Sequence, residues 1–230
     1  MAEIVNVDNF ARAETARMFE GILGQSGGIN RWTHLRGPVP LDRQTVIRMN
    51  RDTLYSSAVV DLRAGAVVEI PDPGDRYLSV MVVDEDHYVN AVLRAPGRHE
   101  LSVEEHGAPF VNLSARIFVD PDDAADVAAV TALQDDLVIE AGADGPYEHP
   151  DYDPDSLDHT RGLLLQLFEG VPDSRGLFGS ADEVDPVRHL LGTAAGWGGL
   201  PEREAYYAVE TEPRPAGPYR VVFRDVPVEA

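Results

Sequence analysis

The chain has 230 residues, 43% hydrophobic and 26% charged, with 40 acidic side chains against 19 basic ones and a formal charge of −21. It has no cysteine, which excludes disulfides, zinc–thiolate sites and cysteine nucleophiles. So acidic a chain also lacks the concentrated cations that nucleic acids and anionic membranes attract.

Every basic side chain is arginine, and the acid is spread along the whole sequence. That distribution fits a solvating role, from salt adaptation or from the codon bias of a GC-rich genome. No apolar run approaches the roughly 18 residues needed to cross a bilayer. The start, Met1 to Asn6, does not read as a secretory signal. A cytoplasmic protein with neither nucleic-acid nor membrane partners is expected.

Residues 1–45 read as an N-terminal helix and a connector. The helix spans residues 6–23, capped by Asp8, with Phe10, Ala11, Thr15, Met18, Phe19, Ile22 and Leu23 as its apolar stripe. Glycines at 24, 27 and 28 end it, and residues 29–39 form an irregular connector around Trp32 and His34. Residues 46–120 are the β-rich core, with strands at 53–62, 66–70, 77–84, 88–93 and 115–119. The third is apolar on both faces, as a central strand would be. Residues 121–200 are a helical region with loops. One helix starts at Asp120-Pro121 and carries Val127, Val130, Leu133 and Leu137. Another starts near Asp155 and carries Leu157, Thr160, Leu164, Leu167 and Phe168. Residues 201–230 hold two more strands, at 206–210 and 218–224, read as the start of a truncated second sandwich.

The expected fold is therefore α+β: an antiparallel, jelly-roll-like β-sandwich core with an N-terminal helix and two accessory helices. A strong strand so close to the end of the chain leaves an edge that a partner or a second copy could pair.

The densest polar cluster beside the strands is Asn50-Arg51-Asp52-Thr53-Leu54-Tyr55. In an extended segment Asn50 and Asp52 face one way, and Arg51, Thr53 and Tyr55 the other. Such a set can anchor a carboxylate or orient a water. It can equally be a strand entry at which Asp52 satisfies backbone donors.

This peptide with Ser56-Ser57, followed by Asp72-Pro73-Gly74-Asp75-Arg76-Tyr77 leading into Val80 to Asp84, resembles the bacterial and archaeal family catalogued as domain of unknown function 1254. Pro172 to Gly179, Asp185 to Leu190, and Gly192 to Gly199 with Trp197 extend the resemblance over nearly the whole chain. It implies a β-sandwich with accessory helices. Relatives often carry a second region, domain of unknown function 1214, whose entrance residues 219–228 look like before it is cut short. The resemblance implies fold rather than activity, and no motif here supports the esterase or transglycosylase labels attached to some relatives.

Other clusters are weaker. Asp84, Asp86 and His87, with His99 and His106 on following segments, are candidate ligands for a divalent ion; the same residues read as a solvated turn. No Gly-x-Ser-x-Gly elbow occurs, and Ser56, Ser57 and Ser174 stand in ordinary contexts. His189 reads as a packing histidine. The glycine-rich run at 192–199 lacks a phosphate loop's lysine and reads as tight packing around Trp197, which could line a pocket. The loop with Tyr147, His149, Asp151, Tyr152, Asp153 and Asp155 reads as a binding loop or a stiff spacer.

Two functions follow. One is a small-molecule-binding protein or enzyme with a polar pocket of Asn50, Arg51, Asp52, Tyr55, Arg76 and Trp197; no motif identifies a cofactor. The other is a non-catalytic assembly module that forms homo-oligomers through the C-terminal strand edge.

Overall fold

The computed structural model describes residues 2–39, 50–205, 207, 215, 217–220 and 222. Its elements, in order, are α1 (Phe10–Ser26), β1 (Thr33–His34), β2 (Thr53–Asp61), β3 (Ala66–Ile70), β4 (Leu78–Asp84), β5 (Val89–Leu93), β6 (Gly97–Leu101), α2 (Val103–His106), β7 (Phe110–Phe118), α3 (Ala124–Asp135), β8 (Val138–Ala141), α4 (Pro154–Phe168) and α5 (Pro186–Gly196). Two antiparallel sheets form, ordered β1-β2-β7-β4-β5 and β6-β3-β8. The α+β class expected from the sequence is what the chain adopts.

Strand alternation sorts the side chains into layers. Leu54, Ala58 and Val60 of β2, Leu78, Val80 and Val82 of β4, and Val111, Leu113, Ala115 and Ile117 of β7 face the small sheet. There they pack on Ala66, Val68, Ile70, Leu101, Ile139 and Ala141. On the other face, Val59, Met81, Val83 and Phe110 meet Phe19 of α1 together with Trp197 and Leu200. A third cluster, Phe10, Ala13, Leu157, Leu164, Leu191 and Ala194, joins α1, α4 and α5. Every residue of β4 is buried, as a strand apolar on both faces should be.

Several boundaries differ from the expectation. α1 starts after Asn9 rather than at residue 6, and it runs through Gly24 to Ser26 before the left-handed Gly27 ends it. Asn9 gives its side chain to the preceding turn, accepting from the Asn6 N–H and donating to Glu3 and the Ile4 carbonyl. α3 begins three residues past Pro121 because Asp123 supplies the cap, accepting from the Ala125 N–H. β7 begins five residues earlier than read, since Asn112 and Ser114 sit on the face opposite Val111 and Leu113. β1, β6, β8, α2 and α5 were not expected.

α5 nonetheless carries a capping signal. Asp185 accepts from the N–H groups of Val187 and Arg188, with Pro186 following in the first turn. Its glycines masked it: a Cβ at Gly192 would lie 3.0 Å from the Leu177 carbonyl oxygen, so the residue there serves close packing. The strands expected at 206–210 and 218–224 fall largely outside the described residues, and so does the edge pairing built on them. Among the described residues no helix is long and apolar enough to cross a membrane.

The β4–β5 turn is buried rather than solvated. Asp84 is 7% exposed, and its carboxylate accepts from the N–H groups of Asp86 (2.9 Å) and Tyr88 (2.8 Å) and from the Asn90 amide (3.1 Å). Burial outweighs these donors and pushes the carboxyl up to about 6.

Two outcomes are expected. Leu113→Ala should destabilise the fold by about 3 kcal/mol, whereas Leu167→Ala, at a 66% exposed position, should change it by less than about 0.5 kcal/mol; urea denaturation measures both. Because the folded Asp84 carboxyl titrates above its ordinary value of 3.8, its stabilising contribution is complete below that value and lost as pH rises through about 6. The stability of wild type relative to Asp84→Asn should therefore improve as pH is lowered from about 7 to about 4. A difference independent of pH would contradict the buried carboxyl.

Candidate functional site

Asn50, Arg51 and Asp52 lie exposed at the entrance to β2. The Asp52 carbonyl accepts from the Val119 N–H (2.8 Å), and its carboxylate accepts from the Thr53 hydroxyl (3.2 Å). Across β7 from them, Arg76 donates to the Phe118 carbonyl (2.7 Å) and holds Asp126 of α3 through both guanidinium nitrogens. The polar peptide and the Asp-Arg-Tyr entrance thus flank the same end of β7. Arg76, however, clamps α3 to the sheet instead of facing Asp52.

Tyr55 turns to the helix-covered face, where its Cα partner is Arg116, whose other partner is Ser79. The next row inward is Ser57, Ser114 and Met81, with Thr33 of β1 opposite Ser57. Arg116 donates through Nη2 to the Gly198 carbonyl (2.7 Å), touches the Met81 sulfur through Nη1 (3.7 Å), and stands 6.0 Å from the centre of the Tyr55 ring. Burial raises the Tyr55 phenol, opposed by Arg116 and by a backbone N–H of Asn50. On the far side of Ser79, the Tyr77 hydroxyl lies 2.9 Å from Ser79 Oγ, and Arg94 rests over the Tyr77 ring.

Arg116 is half-buried and forms no ion pair with a carboxylate among the described residues. The other described arginines without a carboxylate, Arg31, Arg51 and Arg220, are exposed. Ser57, Ser114 and Thr33 are half-buried, and their side chains make no hydrogen bond among the described residues. Of the expected site residues, Tyr55 meets Arg116, the backbone N–H of Asn50 meets the Tyr55 hydroxyl, and Trp197 reaches Arg116 through its neighbour Gly198. Arg116 and Ser114 were missed. The alternation of Asn112, Ser114 and Arg116 with Val111, Leu113, Ala115 and Ile117 was the available signal, hidden by starting the strand at residue 115.

The wall beside this floor is the segment from Trp197 to Leu200. The Trp197 indole N–H donates to the Thr15 hydroxyl (3.0 Å), and its ring stacks on His87 at 5.3 Å and 22°. His87 is fully buried, with φ at 67°. Its Nε2 accepts from the Gly198 N–H (2.8 Å), and its Nδ1 lies 2.8 Å from the Thr193 hydroxyl. Burial, with His189 adjacent, drives its pKa well below the ordinary histidine value.

The metal candidates do not converge. Asp84 binds its own turn, Asp86 pairs with Arg12 at 2.8 and 2.6 Å, and both His87 nitrogens are engaged. His99 bonds the Ala95 carbonyl (2.7 Å), while His106 is buried on α2. Among the described residues no group of three or more His, Asp or Glu side chains is placed to hold a metal ion. His189 packs as expected, stacked on Tyr88 at 4.5 Å. The aromatic loop binds the body of the protein through Tyr147 against Phe19 and Phe110, and through His149 to Glu20 (3.0 Å).

The chain is similar in fold to the crystal structure of the VPA0106 protein from Vibrio parahaemolyticus, with a TM-score of 0.65 at 15% identity. The match covers 85% of this chain and 66% of that one, so the chain spans just under two thirds of that protein's length. No curated protein matches it. Residues 29–102, which contain β2 to β5 and the Asn50-to-Tyr55 peptide, match the model of the family described as "Protein of unknown function (DUF1254)".

Proposed function

We propose that this protein binds a small molecule bearing a carboxylate or phosphate group on the helix-covered face of the five-stranded sheet. Arg116 is the anchoring cation, and Tyr55, Ser57 and Ser114 supply hydroxyl partners. Asn50, Arg51 and Asp52 lie at the rim, and Trp197 to Leu200 form the apolar wall. The observation that carries this reading is the half-buried guanidinium of Arg116 without a carboxylate among the described residues, in a chain where acids outnumber bases by 40 to 19.

A guanidinium has five donors. At Arg116 one terminal nitrogen has a carbonyl and the other a thioether, a weak acceptor, and the Tyr55 hydroxyl is the further partner; all three are neutral. A partly buried cation normally sits against a counter-charge, because leaving it unpaired is costly. Its planar fork matches two oxygens of a carboxylate or phosphate. The floor is made of paired strands, which hold such a fork more firmly than a loop does.

Binding suits the geometry better than nucleophilic catalysis. The serine that meets an imidazole is Ser56, whose Oγ lies 2.8 Å from His34 Nδ1. That hydroxyl also accepts from the Gln134 amide (3.1 Å), and Ser56 is only 1% exposed, on the sandwich side of β2. A cytoplasmic location belongs to the same proposal, in keeping with a cysteine-free composition.

Titration calorimetry at low salt with a panel of small mono- and dicarboxylates, phosphate and phosphate monoesters tests the reading. At least one probe should saturate. Arg116→Gln should weaken it by about tenfold or more while leaving circular dichroism unchanged, as expected for losing a charged hydrogen-bond pair. Arg116→Lys, a point charge without the fork, should fall between. Failure of every probe to saturate, or equal binding by Arg116→Gln, refutes the proposal.

A further inference from the structure

We infer that His87 is the positioning residue of this site: through Gly198 its imidazole fixes the guanidinium of Arg116 in the orientation that receives the oxyanion. The inference rests on the binding role proposed for Arg116.

One unambiguous donor sets the direction of the whole network. The Gly198 amide can only donate, so the His87 Nε2 it meets at 2.8 Å carries the lone pair. The neutral ring then has its proton on Nδ1 and donates it to Thr193 Oγ1 (2.8 Å), which passes its own hydrogen to the His189 carbonyl (2.9 Å). At the other end the Gly198 carbonyl accepts from Arg116 Nη2 (2.7 Å). Four hydrogen bonds therefore run head to tail from Arg116 to α5. Each polarises the next in the same sense.

The ring is held so that it cannot turn out of this line. It lies between the Trp197 ring at 5.3 Å and the His189 ring at 5.5 Å, with Phe178 edge-on at 6.0 Å. Its backbone is left-handed, at φ 67°, a conformation that costs a non-glycine residue energy and recurs where a side chain has a task. The wall it holds also turns in the left-handed region, at Gly198 with φ 79°. Arginine has many rotamers of similar energy. The Gly198 carbonyl accepts from Arg116 Nη2 at 2.7 Å, while the Tyr55 hydroxyl is the other oxygen the guanidinium meets among the described residues, so the position of that carbonyl restricts where the remaining donors point.

The test uses the full chain and the tightest-binding probe of the calorimetric panel, with NMR of the Gly198 amide and the Arg116 Nε–H as a ligand-free readout. His87→Asn keeps a residue that tolerates positive φ but cannot reach Gly198. It should weaken the probe about five- to tenfold, the size of one lost hydrogen bond, and shift both NMR signals. Thr193→Val, nearly isosteric, should give a smaller loss in the same direction, and Thr193→Ser should restore wild-type affinity. His87→Asn combined with Arg116→Gln should lose less than the product of the single losses, because both act on one contact; a purely structural role for His87 would leave the losses multiplicative. If wild type binds and His87→Asn binds equally, or the losses multiply, the inference falls while the binding function stands. If no probe binds, the function falls, and unshifted Gly198 and Arg116 signals in His87→Asn overturn the inference as well.

Discussion

The placement of Phe110–Phe118 between Thr53–Asp61 and Leu78–Asp84 constrains everything else in the molecule. This strand pairs with β2 along its whole length and with β4 from Val111 to Ile117. Its odd-numbered residues build the core between the sheets, and its even-numbered residues, Asn112, Ser114 and Arg116, form the floor on the helix-covered face. Strand side chains alternate, so a shift of one residue would bring Arg116 into the sandwich and expose Leu113 to the helices. The core therefore fixes the register of the site. No local preference of Arg116 is needed to hold it there.

The use of charge elsewhere gives Arg116 its meaning. Arg12 joins α1 to Asp86, Arg36 joins the end of β1 to Asp135, Arg76 joins the start of β4 to Asp126, and Arg98 joins β6 to Glu140. Most of these pairs are solvent-exposed and individually contribute little. The Arg76–Asp126 pair is better shielded, with both side chains 20% exposed, and its two-point geometry fixes orientation as well as distance. With arginines distributed as clamps between elements, one facing hydroxyls and a carbonyl is doing something different. The net negative charge opposes anion approach only at long range, since salt screens beyond roughly 8 Å; the local field at the sheet is set by Arg116 itself.

Patterning made the centre of the sheet legible and left its margins obscure. β3, β4 and β5 stood out because their apolar residues are contiguous or strictly alternating. β6, Gly97-Arg98-His99-Glu100-Leu101, is an edge strand with a half-exposed, polar pattern, and β8 has only four residues; neither contains enough buried surface to mark it. The site shows the same division. Tyr55 and Trp197 were visible as aromatic residues in polar or glycine-rich settings. Arg76 was visible too, but what occupies it is Asp126, fifty positions away. Nothing local marks Arg116 as the partner of Tyr55, because strand pairing across sixty residues of chain makes that contact.

His87 shows why an acidic turn can mislead in two directions. Asp84-Glu85-Asp86-His87 suggests either solvation or a cation site, and each reading assumes that the side chains point outward together. Instead the turn is folded into the protein. Asp84 closes on backbone N–H groups, Asp86 reaches Arg12, and the positive φ at residue 87 directs the imidazole between Trp197 and His189. A turn that joins two sheet strands thereby reaches across to α5 and fixes the segment that follows it. The floor of the proposed site is made by the sheet and its wall by residues after the last helix; Arg116 joins the two directly through the Gly198 carbonyl, and the buried His87 imidazole holds the wall from behind. A side chain on α5, Thr193, is thereby linked to Arg116 through His87 and Gly198 by a continuous chain of hydrogen bonds.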